Sequence, residues 1–193
     1  MNICVFGASG DELDSLYFEA AEELGRLLAT AGHRLVFGGG AGGLMGACAR
    51  GAASQGGEII GIAPRFFDEP GILFSDCTEF IYTETMAQRK MLMEEKAEAF
   101  IALPGGIGTF EEFLEVLTLR QLGRHYKPIA LLNTLGYFDA LETMLREASE
   151  KGFMSARVHL CYALCPDPAA ALSHVTRPYD APDTASGLSL YSR

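Results

Sequence analysis

Short runs of apolar, β-prone residues alternate along the chain with longer stretches in which apolar positions recur every three to four residues. The runs are "ICVF" (3–6), "RLVF" (34–37), "EIIGIA" (58–63), "FIY" (80–82), "AFIAL" (99–103), "PIALLN" (128–133) and a weaker "VHLCYAL" (158–164). Between them the periodicity predicts helices over 15–31, 44–55, 84–97, 109–122 and about 137–151, the first stopped by Gly32 and the fourth by Gly123. Runs this uniformly apolar fit strands covered on both faces, and strand–helix alternation marks a parallel sheet. The expected fold is α/β: a doubly wound sheet of about seven mostly parallel strands with helices on both faces, in a single domain over 1–175. Residues 176–193, rich in Pro, Asp, Ser and Gly, read as a loose tail without a catalytic part.

Right-handed crossovers leave all strand C-termini along one edge, and ligands of such sheets bind there, near the switch in strand order. Three glycine-bearing loops are predicted to gather at that edge: "FGASGD" after the first strand, "FGGGAGGLMG" after the second and "LPGGIGT" after the fifth. The irregular, aromatic-rich stretch 64–78, "PRFFDEPGILFSDCT", is expected to form a flap over it.

Composition narrows the partners. A formal net charge of −10 over 193 residues disfavours nucleic-acid backbones and anionic lipid, so an anionic ligand needs a local pocket. No apolar run is long enough to span a bilayer, and "MNICVFGASG" reads as a strand and turn rather than a secretory signal, which predicts a cytoplasmic protein. The five cysteines, at 4, 48, 77, 161 and 165, have no ligand spacing and are expected to be reduced, with no structural zinc.

Gly105, Gly106 and Gly108, with Ile107 among them, lead into a helix predicted to begin near Thr109. Backbone N–H groups there can meet a phosphate without Cβ obstruction, at the helix end that attracts anions. The competing reading is a tight strand-to-helix connection. Gly38–Gly43 form a G-x-G-x-x-G, but the next strand ends in Ala63, Pro64 and Arg65 where a dinucleotide site needs an acid for the ribose. A mononucleotide fits better than NAD. The absent Gly-Lys-Ser/Thr excludes a P-loop.

Arg89 lies on the apolar stripe of Met86 and Met93, with no acid three or four residues away. It is expected to face inward or along the cleft and to meet a ligand. Lys90 has Glu94 four residues on, so a surface pair and a ligand contact compete evenly. Glu112 closes a capping box with Thr109, which gives it a structural purpose and also fixes its carboxylate beside the phosphate-binding amides. Glu111 points about 100° away around the helix and does not share that site.

Together these motifs resemble the LONELY GUY (LOG) family of cytokinin riboside 5′-monophosphate phosphoribohydrolases, often labelled as possible lysine decarboxylases. The family pattern P-G-G-x-G-T-x-x-E is matched by Pro104, Gly105, Gly106, Gly108, Thr109 and Glu112, and G-G-G-x-x-G-L-M-G by 38–46. The resemblance runs from about Ile3 to Val175. It implies a Rossmann-like homodimer that hydrolyses the N-glycosidic bond of adenosine 5′-monophosphate or its N6-substituted relatives, without metal or cofactor. It implies Arg89 and Glu112 as the catalytic pair. Substrate would be held by Ser9, Gly39, Gly40, Gly43, Met45, Lys90, Gly105, Gly106, Ile107, Gly108, Thr109 and Thr118. Departures at "FGAS", at "TMAQRK" and in the missing G-E-T segment bear on the base rather than on phosphate or ribose, so a shifted base preference is expected. The alternative function is a nucleotide or phosphorylated-cofactor binding protein, such as a molybdenum-cofactor carrier. A pyridoxal-phosphate lysine decarboxylase is disfavoured by chain length and by four lysines with no Schiff-base setting.

Overall fold

In the computed structural model, residues 1–178 are described. Seven strands are all parallel: β1 (Asn2–Phe6), β2 (Arg34–Phe37), β3 (Ile59–Pro64), β4 (Glu79–Thr83), β5 (Ala99–Ala102), β6 (Ile129–Leu132) and β7 (Ala163–Cys165). Their spatial order is β4-β3-β2-β1-β5-β6-β7. The order reverses between β1 and β5, which opens a crevice beyond their C-terminal ends. The expected α/β, doubly wound sheet is therefore the fold observed.

Six α-helices cover the sheet: α1 (Ser15–Thr30), α2 (Gly43–Ser54), α3 (Met86–Lys96), α4 (Ile107–Gln121), α5 (Asp139–Glu150) and α6 (Pro168–Thr176). The alternation along β1 shows the division. Ile3 and Val5 pack with Leu24, Leu28, Leu44, Ala47 and Val175 of α1, α2 and α6. Cys4 and Phe6 pack on the other face with Met93, Phe113, Val116 and Leu145 of α3, α4 and α5. Among the described residues no helix is long and apolar enough to cross a membrane.

Two elements depart from expectation. "VHLCYAL" is not one strand: Ala156–Leu160 form a 3-10 helix, and only Ala163–Cys165 pair with β6. The 3-10 helix is fixed by Ser155, whose side chain accepts from the Arg157 amide, and only Val158 within it is buried. Helix α6 was not anticipated, although Asp167 accepts the Ala170 amide and Pro168 stands in the first turn, an ordinary helix start. The helix ends at Thr176, and the rest of the expected tail, from 179 on, lies outside the described residues.

Candidate active site

Both long glycine loops end in helix N-termini at the crevice, and their amides are used differently. At α2, Gly43 donates to Asp11 Oδ1 at 2.7 Å, while the Leu44 and Met45 amides donate to Ala8 O at 2.9 and 3.3 Å. That start is closed by the β1 loop. At α4 the N-cap is Gly106, which brings no capping side chain. The first helical amides lack intrahelical partners by construction, and Gly106, Ile107 and Gly108 are exposed. This end is open to an anion.

The predicted capping box does not form. Helix α4 begins at Ile107, so Thr109 sits inside the first turn and is buried. The cause is the tightness of the turn. A Cβ on Gly105 would lie 2.1 Å from Thr109 Oγ1 and 2.9 Å from Ala8 N, so the chain folds back on itself before Thr109 could reach an N-cap position. Ala8 N–H in turn donates to Pro104 O at 3.0 Å, which ties the β5 loop to the β1 loop.

Relieved of capping, Glu112 pairs across to α3. Its Oε1 lies 3.0 Å from Arg89 Nη1, and both residues are only 7% exposed. Arg89 Nε donates to Ile62 O at 3.3 Å, at the end of β3. Burial raises the Glu112 pKa above the ordinary glutamate value, while the Arg89 charge and hydrogen bond pull it down. Cys4 on β1 feels the same pair: burial pushes its thiol well up, the Glu112 charge adds to that, and Arg89 opposes it. The arrangement is a buried, matched charge pair at the switch point, a place where perturbed groups mark chemistry.

Arg89 also lines a cleft of about 670 Å³. Ser9 and Asp11 form one part of the wall, Gly38, Gly40, Gly42 and Met45 another, and Phe66, Phe67, Ile72 and Met86 give it an apolar side. The 64–78 segment is thus a flap, as expected. Ala41 N–H donates to Ile72 O at 2.9 Å and Phe74 N–H to Gly39 O at 2.8 Å, which pins it to the β2 loop. Glu112 does not line the cleft; Arg89 is the face of the pair presented there.

The remaining candidates separate. Lys90 pairs with Glu111 and, at 3.1 Å, with Glu115 on α4, not with Glu94, because α3 and α4 lie side by side. Glu111 and Glu112 therefore face different cations, as their angular separation implied. Thr118 is exposed and donates to Leu114 O at 2.7 Å, far along α4 from its open end. Gly39 and Gly43 have positive φ, +76° and +59°, so glycine is required there by the backbone whatever the ligand. Asp11, four residues before α1, and Gly38 were not singled out as site residues from the sequence.

The possible lysine decarboxylase family model matches residues 45–175. A cytokinin riboside 5′-monophosphate phosphoribohydrolase of Arabidopsis thaliana is 44% identical over 154 residues, 80% of this chain and 72% of the relative. One from Rhodococcoides fascians is 38% identical over 178 residues, 92% of this chain and 90% of the relative. The chain belongs to the LOG family. Among solved structures, the molybdenum cofactor binding protein of Rippkaea orientalis superposes with a TM-score of 0.69 at 23% identity, covering 89% of this LOG-family chain and 93% of that one. The molybdenum cofactor carrier protein of Chlamydomonas reinhardtii gives 0.69 at 24% identity, with 89% and 93% covered. At such identity the likeness shows a shared fold. Among the described residues of the LOG-family chain no group of three or more His, Cys, Asp or Glu is placed to hold a metal.

Proposed function

We propose that the protein hydrolyses the N-glycosidic bond of adenosine 5′-monophosphate or N6-substituted nucleoside 5′-monophosphates, releasing free base and ribose 5-phosphate. The carrying observation is the buried Arg89–Glu112 pair at 3.0 Å, whose Glu112 stands on the same helix whose N-terminus has no side-chain cap. The names of the relatives support this reading.

The 5′-phosphate takes the open amides of Gly106, Ile107 and Gly108. Ala8 and Ser9 continue the wall from that loop into the cleft, so the ribose lies over them and the base lies toward Phe66, Phe67 and Met86. As the bond from C1′ to the base breaks, positive charge grows on the ribose, and the Glu112 carboxylate, paired behind Arg89 at 3.0 Å, stabilises it through the field it exerts across the cleft wall. Arg89 holds the nucleotide and assists the departing base. Water supplies hydroxide to C1′ and a proton to the base nitrogen. Such electrostatic stabilisation is worth about 3–4 kcal/mol per well-placed group.

The homodimer belongs to the same proposal. Met86, Met91, Ile107, Leu114 and Leu122 on α3 and α4 and at its end are exposed, and a second copy would cover them. Thr118 reaches a ligand only if that copy brings its α4 to the cleft. We also place the protein in the cytoplasm, supported by its free cysteines and the lack of a membrane-crossing helix among the described residues.

Incubation with a panel of nucleoside 5′-monophosphates, followed by chromatography of the free base, tests the reading. Base release from adenosine 5′-monophosphate or an N6-substituted form is expected. Binding of the nucleotides without release would favour the carrier function instead.

A further inference from the structure

We infer that Gly38 is the positioning residue for Arg89: the absence of a side chain at the end of β2 makes the socket in which the guanidinium lies between Ile62, Glu112 and the cleft. The inference rests on the proposed catalytic use of the Arg89–Glu112 pair.

A Cβ at Gly38 would stand 1.9 Å from Arg89 Nη2, 2.9 Å from Cζ and 3.2 Å from Nε. The obstruction meets the whole planar group, so a small rotation does not relieve it. An arginine end is ordinarily flexible enough to move aside, but this one is anchored: Nε donates to Ile62 O at 3.3 Å and Nη1 meets Glu112 at 3.0 Å. Making room at Gly38 therefore breaks the contacts that aim Arg89. The backbone offers no other reason for glycine here. Gly39 and Gly43 in the same loop have positive φ, whereas Gly38 is not among the positive-φ residues, so alanine is conformationally allowed. Of the first three glycines in "GGGAGG", Gly38 is the one whose clash is with Arg89; Gly39 abuts Phe80 and Gly40 abuts Met45. Gly38 lines the cleft together with Arg89, so a guanidinium pushed from Gly38 has the ligand space beside it.

The test is a double-mutant cycle with Gly38→Ala, Arg89→Ala and the double variant, read by AMP hydrolysis and by the carboxylate NMR titration of Glu112. Gly38→Ala is expected to lower kcat about 10²-fold or more, the scale of a lost transition-state contact. In the Arg89→Ala background the guanidinium is gone, Gly38→Ala has room, and the expected further loss is none. Glu112 should titrate higher in Gly38→Ala than in the wild type, as in Arg89→Ala, and the double variant should match Arg89→Ala. Rate losses that multiply in the double variant, or a Glu112 titration unmoved by Gly38→Ala, would overturn the inference. Should Arg89→Ala and Glu112→Gln both hydrolyse AMP at the wild-type rate, the catalytic reading fails, and the Glu112 titration decides the Gly38 socket on its own.

Discussion

The starts of α2 and α4 are both glycine-rich turns that follow a parallel strand, and they do opposite things with the same helix geometry. At α2 the protein supplies its own anion, Asp11, and its own carbonyl, Ala8, so the first amides are satisfied before any ligand arrives. At α4 no side chain caps the first turn. Asp11 is five residues past the end of β1 and Gly43 opens the helix after β2, so only the folded sheet shows that one side chain closes one of the two sites. A glycine pattern thus reveals where backbone can approach a ligand. Which amides remain available is decided by a neighbouring loop.

Removing the groups attached to the open site should have the largest effect. Arg89→Ala leaves Glu112 buried without its cation, which should lower hydrolysis at least about 10²-fold and cost about 3–5 kcal/mol of stability. Base release and thermal melting measure the two. The pH dependence should move as well. Burial already raises the Glu112 pKa, and Arg89 is what pulls it down, so the acid limb of kcat lies above the ordinary glutamate value and shifts higher in the variant. A carboxyl whose folded-state pKa is raised binds its proton more tightly when folded. Its contribution is fully present below the unfolded-state value and is lost as pH rises through the folded-state value. Arg89→Ala should therefore melt progressively earlier, relative to wild type, as pH rises through that window.

A smaller loss follows from removing the ligand's anion. Adenosine lacks the phosphate proposed to sit at α4, and its kcat/KM should fall below that of AMP by about 10-fold or more, since even one charge-assisted hydrogen bond is worth about 1.5–3 kcal/mol. Equal rates would mean that the open helix end is not the anchor. Smaller again is the conversion of the closed start into an open one. Asp11→Ala should cost about 0.5–2 kcal/mol by loss of a cap. Inorganic phosphate should then raise its melting temperature more than it raises that of wild type, because a second helix end has become free. The least effect is expected at Lys90, whose pairs with Glu111 and Glu115 lie partly in solvent: Lys90→Ala should change stability by about 1 kcal/mol or less. A severe loss of hydrolysis in that variant would move Lys90 into the site.

The sheet was readable because its central strands, β1, β2, β3, β5 and β6, are buried nearly throughout and the helices between them carry apolar positions at helical spacing, local signals that survive without tertiary context. The same locality explains the misses. The Thr109–Glu112 box is a sequence-adjacent pattern, and it fails because Gly105 packs against Thr109 and Ala8 and starts the helix early. The partner of Arg89 could not be found within its own helix, since it comes from the next helix on the same sheet face. Lys90 was offered Glu94 by helical spacing and took Glu111 and Glu115 by packing. Helix α6 was legible in principle, because "DP" before "AAALSHV" is a cap followed by a first-turn proline.

In the proposed reaction Glu112, freed from capping, stabilises the breaking N-glycosidic bond of a nucleotide anchored at α4. Single-turnover release of adenine from AMP by wild-type protein and by Glu112→Gln tests it most directly, with AMP binding measured alongside. Release by wild type is expected, and in Glu112→Gln retained AMP binding with release slowed about 10²-fold or more. Release by Glu112→Gln at the wild-type rate would contradict it.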